Sequence, residues 1–131
     1  MEPQRLEALA HVHGIELVVQ FGSTVSGLTH QRSDLDLGLL LRRAPVSFGE
    51  RADLRSDLQA LMPDREVDLA ILNHADPLFL KQVMDQARLL YGSPERFERL
   101  RLFAFKRYQD HRRFLQMERE YVDRKIAGFR R

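Results

Sequence analysis

The chain has 131 residues, of which 44% are hydrophobic, with a net charge of +2 and no cysteine. This length fits one compact domain, and the lack of cysteine excludes disulfide staples and cysteine zinc sites. There is no apolar run near the roughly 20 residues of a membrane helix, and the first residues lack the apolar run of a secretory leader. We therefore expect a cytoplasmic protein that binds no membrane.

The charge is divided unevenly along the chain. Residues 1–93 carry 9 Lys/Arg against 13 Asp/Glu, whereas residues 94–131 carry 12 against 6. A basic segment of this kind indicates a surface for an acidic partner or nucleic acid, or a solvated helix face. Acidic residues are interspersed in it, so direct nucleic-acid binding is the weaker interpretation.

The first elements are a helix and a buried strand. Apolar residues after Pro3 predict a short helix that Gly14 would end. Residues 15–21 are mostly apolar and bounded by glycines, which predicts a strand leading into the turn Gly22-Ser23. Residues 24–30 are expected to form a turn of helix.

A second strand is predicted over residues 34–41, and it carries two acidic side chains. Successive strand side chains alternate faces at about 3.3 Å rise per residue, so Asp34 and Asp36 should project together, opposite to the neighbouring leucines. A loop over residues 44–49 should follow.

The remaining elements alternate in type. Leucines at helical spacing predict a helix over residues 50–61, and alternation predicts a third strand over residues 66–72 with Asp68 on the face opposite to Val67 and Leu69. Asp76 should cap a helix that begins at Pro77 and ends near Gln86. A short edge strand is expected over residues 88–91.

A single long helix is predicted for the C-terminal part of the chain. Ser93 can cap it, Pro94 fits its first position, and neither Gly nor Pro recurs before Gly128. Its apolar and aromatic face is wider than packing on a small sheet requires. The surplus favours a protein partner.

These elements predict a metal and phosphate site. If the strands are neighbours about 4.8 Å apart, Asp68 can join Asp34 and Asp36 on one sheet face. Such carboxylates can hold two Mg²⁺ ions for in-line displacement at phosphorus. Gly22 permits a tight turn, and Ser23 with the following N–H groups can bind nucleotide phosphate. The Lys-Ser/Thr pair of a Walker loop is absent after Gly27.

The pair Gly22-Ser23, the run Asp34-Leu35-Asp36 and the later Asp68 resemble the nucleotidyltransferase superfamily with a DNA polymerase β type of palm. The small size, and the run 87–92 before a long terminal helix, resemble the minimal nucleotidyltransferase (MNT) antitoxins. The resemblance implies an α+β fold, a small palm with a short mixed sheet, covering helices and a long C-terminal helix. It divides the chain into a core, residues 1–92, and a basic helix, residues 93–131, packed on the core and offered to a partner.

The resemblance also implies an activity. Asp34, Asp36 and Asp68 would be catalytic metal ligands for Mg²⁺, and Gly22 with Ser23 would bind the nucleotide. Family members typically neutralise a HEPN-domain ribonuclease toxin, in a hetero-oligomer, by transferring AMP from ATP to a toxin tyrosine. The chain departs from many relatives because Thr24-Val25-Ser26 replaces a basic residue, which leaves His30 and Arg32 as candidates for contacting the triphosphate.

Two further functions remain open from the sequence. One is a binding module that covers the toxin with its long helix and transfers little or no nucleotide. The other is a nucleotidyltransferase for an antibiotic or another small molecule, which would need a substrate-holding domain for which this chain has little room.

Overall fold

The computed structural model describes residues 2–22, 34–45 and 47–129. The helical turn predicted over residues 24–30 lies outside them. None of the helices in these ranges is long and apolar enough to cross a membrane. In chain order the elements are α1 (Pro3–His13), β1 (Ile15–Phe21), β2 (Leu35–Leu41), α2 (Phe48–Leu61), β3 (Val67–Ile71), α3 (Pro77–Gln86), β4 (Arg88–Tyr91) and α4 (Pro94–Phe129).

The four strands form one mixed sheet in the order β3-β2-β1-β4. Strand β1 pairs antiparallel with both β2 and β4, whereas β2 and β3 run parallel. The expected mixed sheet is confirmed. Both strands predicted to carry acidic side chains are therefore adjacent.

Helices cover both faces of the sheet and create two apolar clusters. On one face, α1 and α2 pack on the odd-numbered leucines of β2. On the other face, α3 and the first turns of α4 pack on Leu17 and Val19 of β1. Because side chains alternate along a strand, Asp36 points away from the odd-numbered leucines and toward the side that α3 and α4 cover.

The boundaries predicted for three elements are corrected. Strand β3, predicted over residues 66–72, spans Val67–Ile71. Helix α2 begins at Phe48, so the loop predicted to extend to Gly49 ends at Ser47, whose hydroxyl oxygen accepts a hydrogen bond from the Glu50 N–H at 3.1 Å. Strand β2 begins at Leu35, so Asp34 precedes the strand rather than opening it. The side chain of Asp34 is exposed, one residue before the start of β2.

Helix α4 is 36 residues long, and only its beginning belongs to the core. Its buried residues are Phe97, Leu100 and Ala104. The hydroxyl of Ser93 accepts a 3.4 Å hydrogen bond from the Arg96 N–H, as expected of a cap. The rest of the helix extends past the sheet with large apolar side chains exposed.

Candidate functional site

The site is built where β1 ends and β2 and β3 begin. In the sheet register Asp36 is the partner of Phe21 on one side and of Asp68 on the other. Neighbouring strands are about 4.8 Å apart, and residues in register point to the same face. Asp36 and Asp68 are therefore side by side, as the sequence predicted.

The surroundings of Asp36 raise its pKa. Partial burial raises the pKa of Asp36 first, and the negative charges of Asp68 and then Asp34 raise it further. Both other carboxylates thus lie within electrostatic reach of Asp36. Like charges held in this way favour a cation between them.

Gly22 closes the site from the end of β1. Its φ of +85° is in the region that favours glycine, and a Cβ atom added to it would lie 2.1 Å from Asp36 Oδ2. The backbone of this turn therefore lies directly against the central carboxylate. Ser23, His30 and Arg32, the other residues expected to contact the nucleotide, lie outside the described ranges.

The donor set suits a hard divalent cation. Magnesium is usually held by one or two carboxylates together with waters and substrate phosphates, and adjacent Asp36 and Asp68 match that need. Among residues 2–22, 34–45 and 47–129, no three His, Cys, Asp or Glu side chains meet closely enough to hold a metal alone.

An aromatic pair beside the carboxylates was missed at the sequence level. The rings of Phe21 and Phe79 meet edge to face, with centroids 6.0 Å apart and planes at 86°. Phe21 is the register partner of Asp36, so this apolar wall adjoins the acidic groups. Phe21 alternates in step with Leu17 and Val19 along β1, and this spacing could have placed its ring on the same face as Asp36. The position of Phe79 depends on how α3 packs against the sheet, which the sequence does not show.

A second cleft lies at the other end of β1. It has a volume of about 280 Å³ and is lined by residues that include His13, Arg42 and Asp53. It adjoins Gly14, eight positions before Gly22, which puts it more than about 20 Å along the strand from the acidic site.

Known proteins resemble this chain over most of its length. Residues 4–96 match the family described as polymerase beta, nucleotidyltransferase. The relative named protein adenylyltransferase MntA, from Shewanella oneidensis (strain ATCC 700550 / MR-1), is 31% identical over 108 residues. The match covers 82% of this chain and 73% of the relative.

Two solved structures share the fold. A toxin–antitoxin crystal structure with AMP-PNP superposes with a TM-score of 0.71 at 25% identity, covering 97% of this chain and 99% of that one. A complex of tri-AMPylated Shewanella oneidensis HEPN toxin with MNT antitoxin gives a TM-score of 0.65 at 23% identity, covering 95% of each chain. With the family match over residues 4–96 and the acidic strands in register, this chain belongs to the polymerase β nucleotidyltransferase family.

Proposed function

We propose that this protein is an MNT antitoxin, a protein adenylyltransferase that transfers AMP from ATP to a tyrosine of a cognate HEPN-domain toxin. The observation that carries the proposal is the packing of Asp36 against Asp68 and Gly22 at one corner of the sheet. The named activity of the MntA relative and the AMP-PNP in a structural neighbour support the choice of reaction.

The reaction is an in-line displacement at the α-phosphorus of ATP. The tyrosine hydroxyl oxygen forms a bond to that phosphorus, the bond to the bridging oxygen of pyrophosphate breaks, and pyrophosphate leaves. The hydroxyl proton must pass to a base. Asp68 is exposed on β3 and adjoins Asp36, so it is the carboxylate best placed to accept that proton.

The protein contributes position and charge. Asp34, Asp36 and Asp68 would hold Mg²⁺, which when bound neutralises the charge that develops on the phosphate oxygens. Gly22 would let the backbone approach the phosphates, and Ser23, the next residue in the sequence, is proposed as a further phosphate contact. Most of the rate enhancement in such a site comes from orientation and electrostatic stabilisation.

The remaining parts of the proposal concern location and organisation. ATP and a ribonuclease toxin both act in the cytoplasm, which is where we place the protein. We retain the division into a catalytic core, residues 1–92, and a helix, residues 93–131, that meets the partner in a hetero-oligomer. The long exposed part of α4 supports this division.

Intact-mass measurement tests the activity. The full chain is incubated with ATP, Mg²⁺ and the protein encoded by the neighbouring gene, tested as the HEPN-domain toxin, and the intact mass of both proteins is measured. We expect the HEPN protein to gain whole AMP units. Asp34→Ala combined with Asp36→Ala should reduce the rate at least about 100-fold, whereas Asp110→Asn, an exposed position on α4, should retain it.

A steric antitoxin is the second candidate, and the exposed distal half of α4 is the observation that favours it. In that case the HEPN protein would be inhibited without a change in mass. Full transfer by the doubly substituted variant would refute the catalytic assignment of the carboxylates.

A further inference from the structure

The distal half of α4 carries an apolar surface, interrupted by Glu118 and Lys125, that we call the distal stripe. Leu115, Val122 and Phe129 are spaced by seven residues, as are Phe114 and Tyr121, and a spacing of seven brings side chains to nearly the same side of a helix. The exposed fractions of these side chains and of Ile126 range from 45% to 88%. The stripe consists of Phe114, Leu115, Tyr121, Val122, Ile126 and Phe129.

The distal stripe continues the face that packs on the core. Phe97 and Ala104 are buried seven residues apart, and steps of seven, four and seven lead from Ala104 through His111 and Leu115 to Val122. The core face of α4 therefore extends beyond the end of the sheet. The covering helix α3 contributes Leu80, Val83 and Met84 to the packed part and ends at Gln86.

The size of the stripe suits a specific interface. Large side chains bury roughly 150–250 Å² each when fully covered, so six that are about half exposed or more offer on the order of 600 Å². Ordinary exposed patches of a monomer reach about 300–600 Å², and a standard interface buries about 800 Å² per partner. From Phe114 to Phe129 the stripe is about 22 Å long, enough for four turns of a packed helix.

Cations border the stripe. Lys125 lies over the Tyr121 ring of the stripe at 5.6 Å. Arg112 and Arg119 stand three residues before Leu115 and Val122, which puts them beside the stripe. Residues 105–129 carry seven Lys/Arg against four Asp/Glu. Two copies of this helix packed through the stripe would bring these cations together, which costs free energy at a desolvated contact.

We propose that the distal stripe docks an amphipathic helix of the toxin whose apolar side chains are bordered by Asp and Glu. This inference rests on the proposed function, since the toxin is the protein substrate. The docked helix would cover the distal part of α4 in the same way that α3 covers its proximal part. The stripe raises the effective concentration of the substrate tyrosine at the acidic site without contacting the reacting atoms.

Affinity measurements with matched variants test the docking. The stripe variant, Leu115→Ala/Val122→Ala/Ile126→Ala, is compared with Gln109→Ala/Gln116→Ala/Glu120→Ala, which has the same spacing on another side of the helix. The probe is the same protein, encoded by the neighbouring gene, that is used in the mass measurement. We expect the stripe variant to weaken binding at least about 30-fold and the control less than about 3-fold.

Charge reversal supplies a second pair of variants. Arg112→Glu/Arg119→Glu lies beside the stripe, whereas Lys106→Glu/Arg113→Glu has the same spacing of seven on the opposite side. The first should weaken binding at least about 10-fold and flatten its dependence on salt, and the second should change it less than about 3-fold. The KM for the HEPN protein should rise with the loss of affinity, with kcat and the KM for ATP unchanged.

The outcomes separate this inference from the proposed function. Equal affinities for all four variants would overturn the docking, whether or not AMP is transferred. A wild-type chain that binds through the stripe without transferring AMP would support the docking and defeat the catalytic proposal. The chain alone could also sediment as a dimer that the stripe variant dissociates. If that variant binds the HEPN protein as the wild type does, the stripe contacts a second copy of this chain, and the docking proposal is overturned.

Discussion

At the residue scale, Gly22 is the position where a single methyl group should do most harm. Its φ of +85° disfavours any L side chain, and the new Cβ would meet Asp36 Oδ2 at 2.1 Å. Gly22→Ala should therefore lower the free energy of unfolding by about 1–3 kcal/mol and displace Asp36. We expect loss of AMP transfer and of Mg²⁺-dependent ATP binding.

Gly49→Ala is the matched control for Gly22→Ala. Gly49 lies in the first turn of α2, and the nearest atom to an added Cβ there is Ser47 Oγ at 3.8 Å. Alanine favours a helix over glycine by about 1 kcal/mol at most. Thermal unfolding should show no loss of stability and transfer should continue. Equal activity of Gly22→Ala and wild type would contradict the close approach of this turn to the carboxylate.

Asp36 illustrates how closely placed carboxylates reduce stability. Its pKa is raised by burial and by the charges of Asp68 and Asp34, so the folded state favours the protonated form. The ionised group therefore opposes folding above its folded-state pKa, and the opposition disappears below about 3.9, the usual pKa of Asp in an unfolded chain. Asp36→Asn should stabilise the protein at neutral pH, by about 1 kcal/mol or less at so partly buried a site.

Thermal unfolding against pH measures this effect. The advantage of Asp36→Asn over wild type should be full near pH 7 and fade as the pH falls toward 3, while AMP transfer is abolished at every pH. A destabilised Asp36→Asn at neutral pH would mean that the carboxylate makes net favourable contacts instead.

At the element scale, Gln59 joins the end of α2 to the start of β3. Its amide nitrogen donates to the carbonyl oxygens of Met62 and Arg65, and its amide oxygen accepts from the buried Val67 N–H at 2.8 Å. These bonds hold the strand that carries Asp68 beside β2. Loss of the Gln59 side chain would remove this acceptor from the Val67 N–H, whereas the Met62 carbonyl oxygen would keep its hydrogen bond from the Arg65 N–H at 3.3 Å.

Gln59→Ala should therefore act on both stability and activity. Urea unfolding should show a loss of about 1–3 kcal/mol, and AMP transfer should fall because Asp68 is less firmly positioned. Gln82→Ala, at an exposed position of α3, should change neither measurement appreciably. Wild-type stability in the Gln59 variant would show that β3 is positioned by the sheet ladder alone.

Local signals were enough to predict most of the elements. Gly14 ends α1 in the left-handed conformation, and Asp76 caps α3 through the N–H groups of Leu78 and Phe79, as the sequence indicated. The cap at Ser47 was also readable, because Glu50 follows three residues later, but the apparent proline and glycine loop obscured it. Strand β1 was predicted with its observed bounds.

The site could be predicted only in part, because its assembly depends on contacts distant in sequence. Alternation along β2 and β3 predicted which face of its own strand each of Asp36 and Asp68 occupies. The register of β3 against β2 depends on tertiary hydrogen bonds, such as those of Gln59 and those between Asn73 and Leu41. The contact between Phe21 and Phe79 has no local signature. Asp34 was predicted to open the strand, but β2 begins at the next residue, Leu35.

At the scale of the whole molecule, only the beginning of α4 contributes to the core. The two apolar clusters draw on α4 only as far as Ala104, whereas the large apolar residues after position 110 are exposed. Folding of the sheet and its helices should therefore not depend on the distal helix, and recognition of the protein substrate should.

Truncation after Asp110 tests that division. The shortened chain should keep its free energy of unfolding to within about 1 kcal/mol, because few buried contacts are lost. Its binding of ATP with Mg²⁺ should remain, and modification of the HEPN protein should fall at least about 30-fold. Leu100→Ala in the full chain should do the reverse: it empties a buried position at a cost of about 2–4 kcal/mol, yet leaves the distal stripe intact. An unfolded truncated chain would show that the distal helix stabilises the core, and would join the two parts into one cooperative unit.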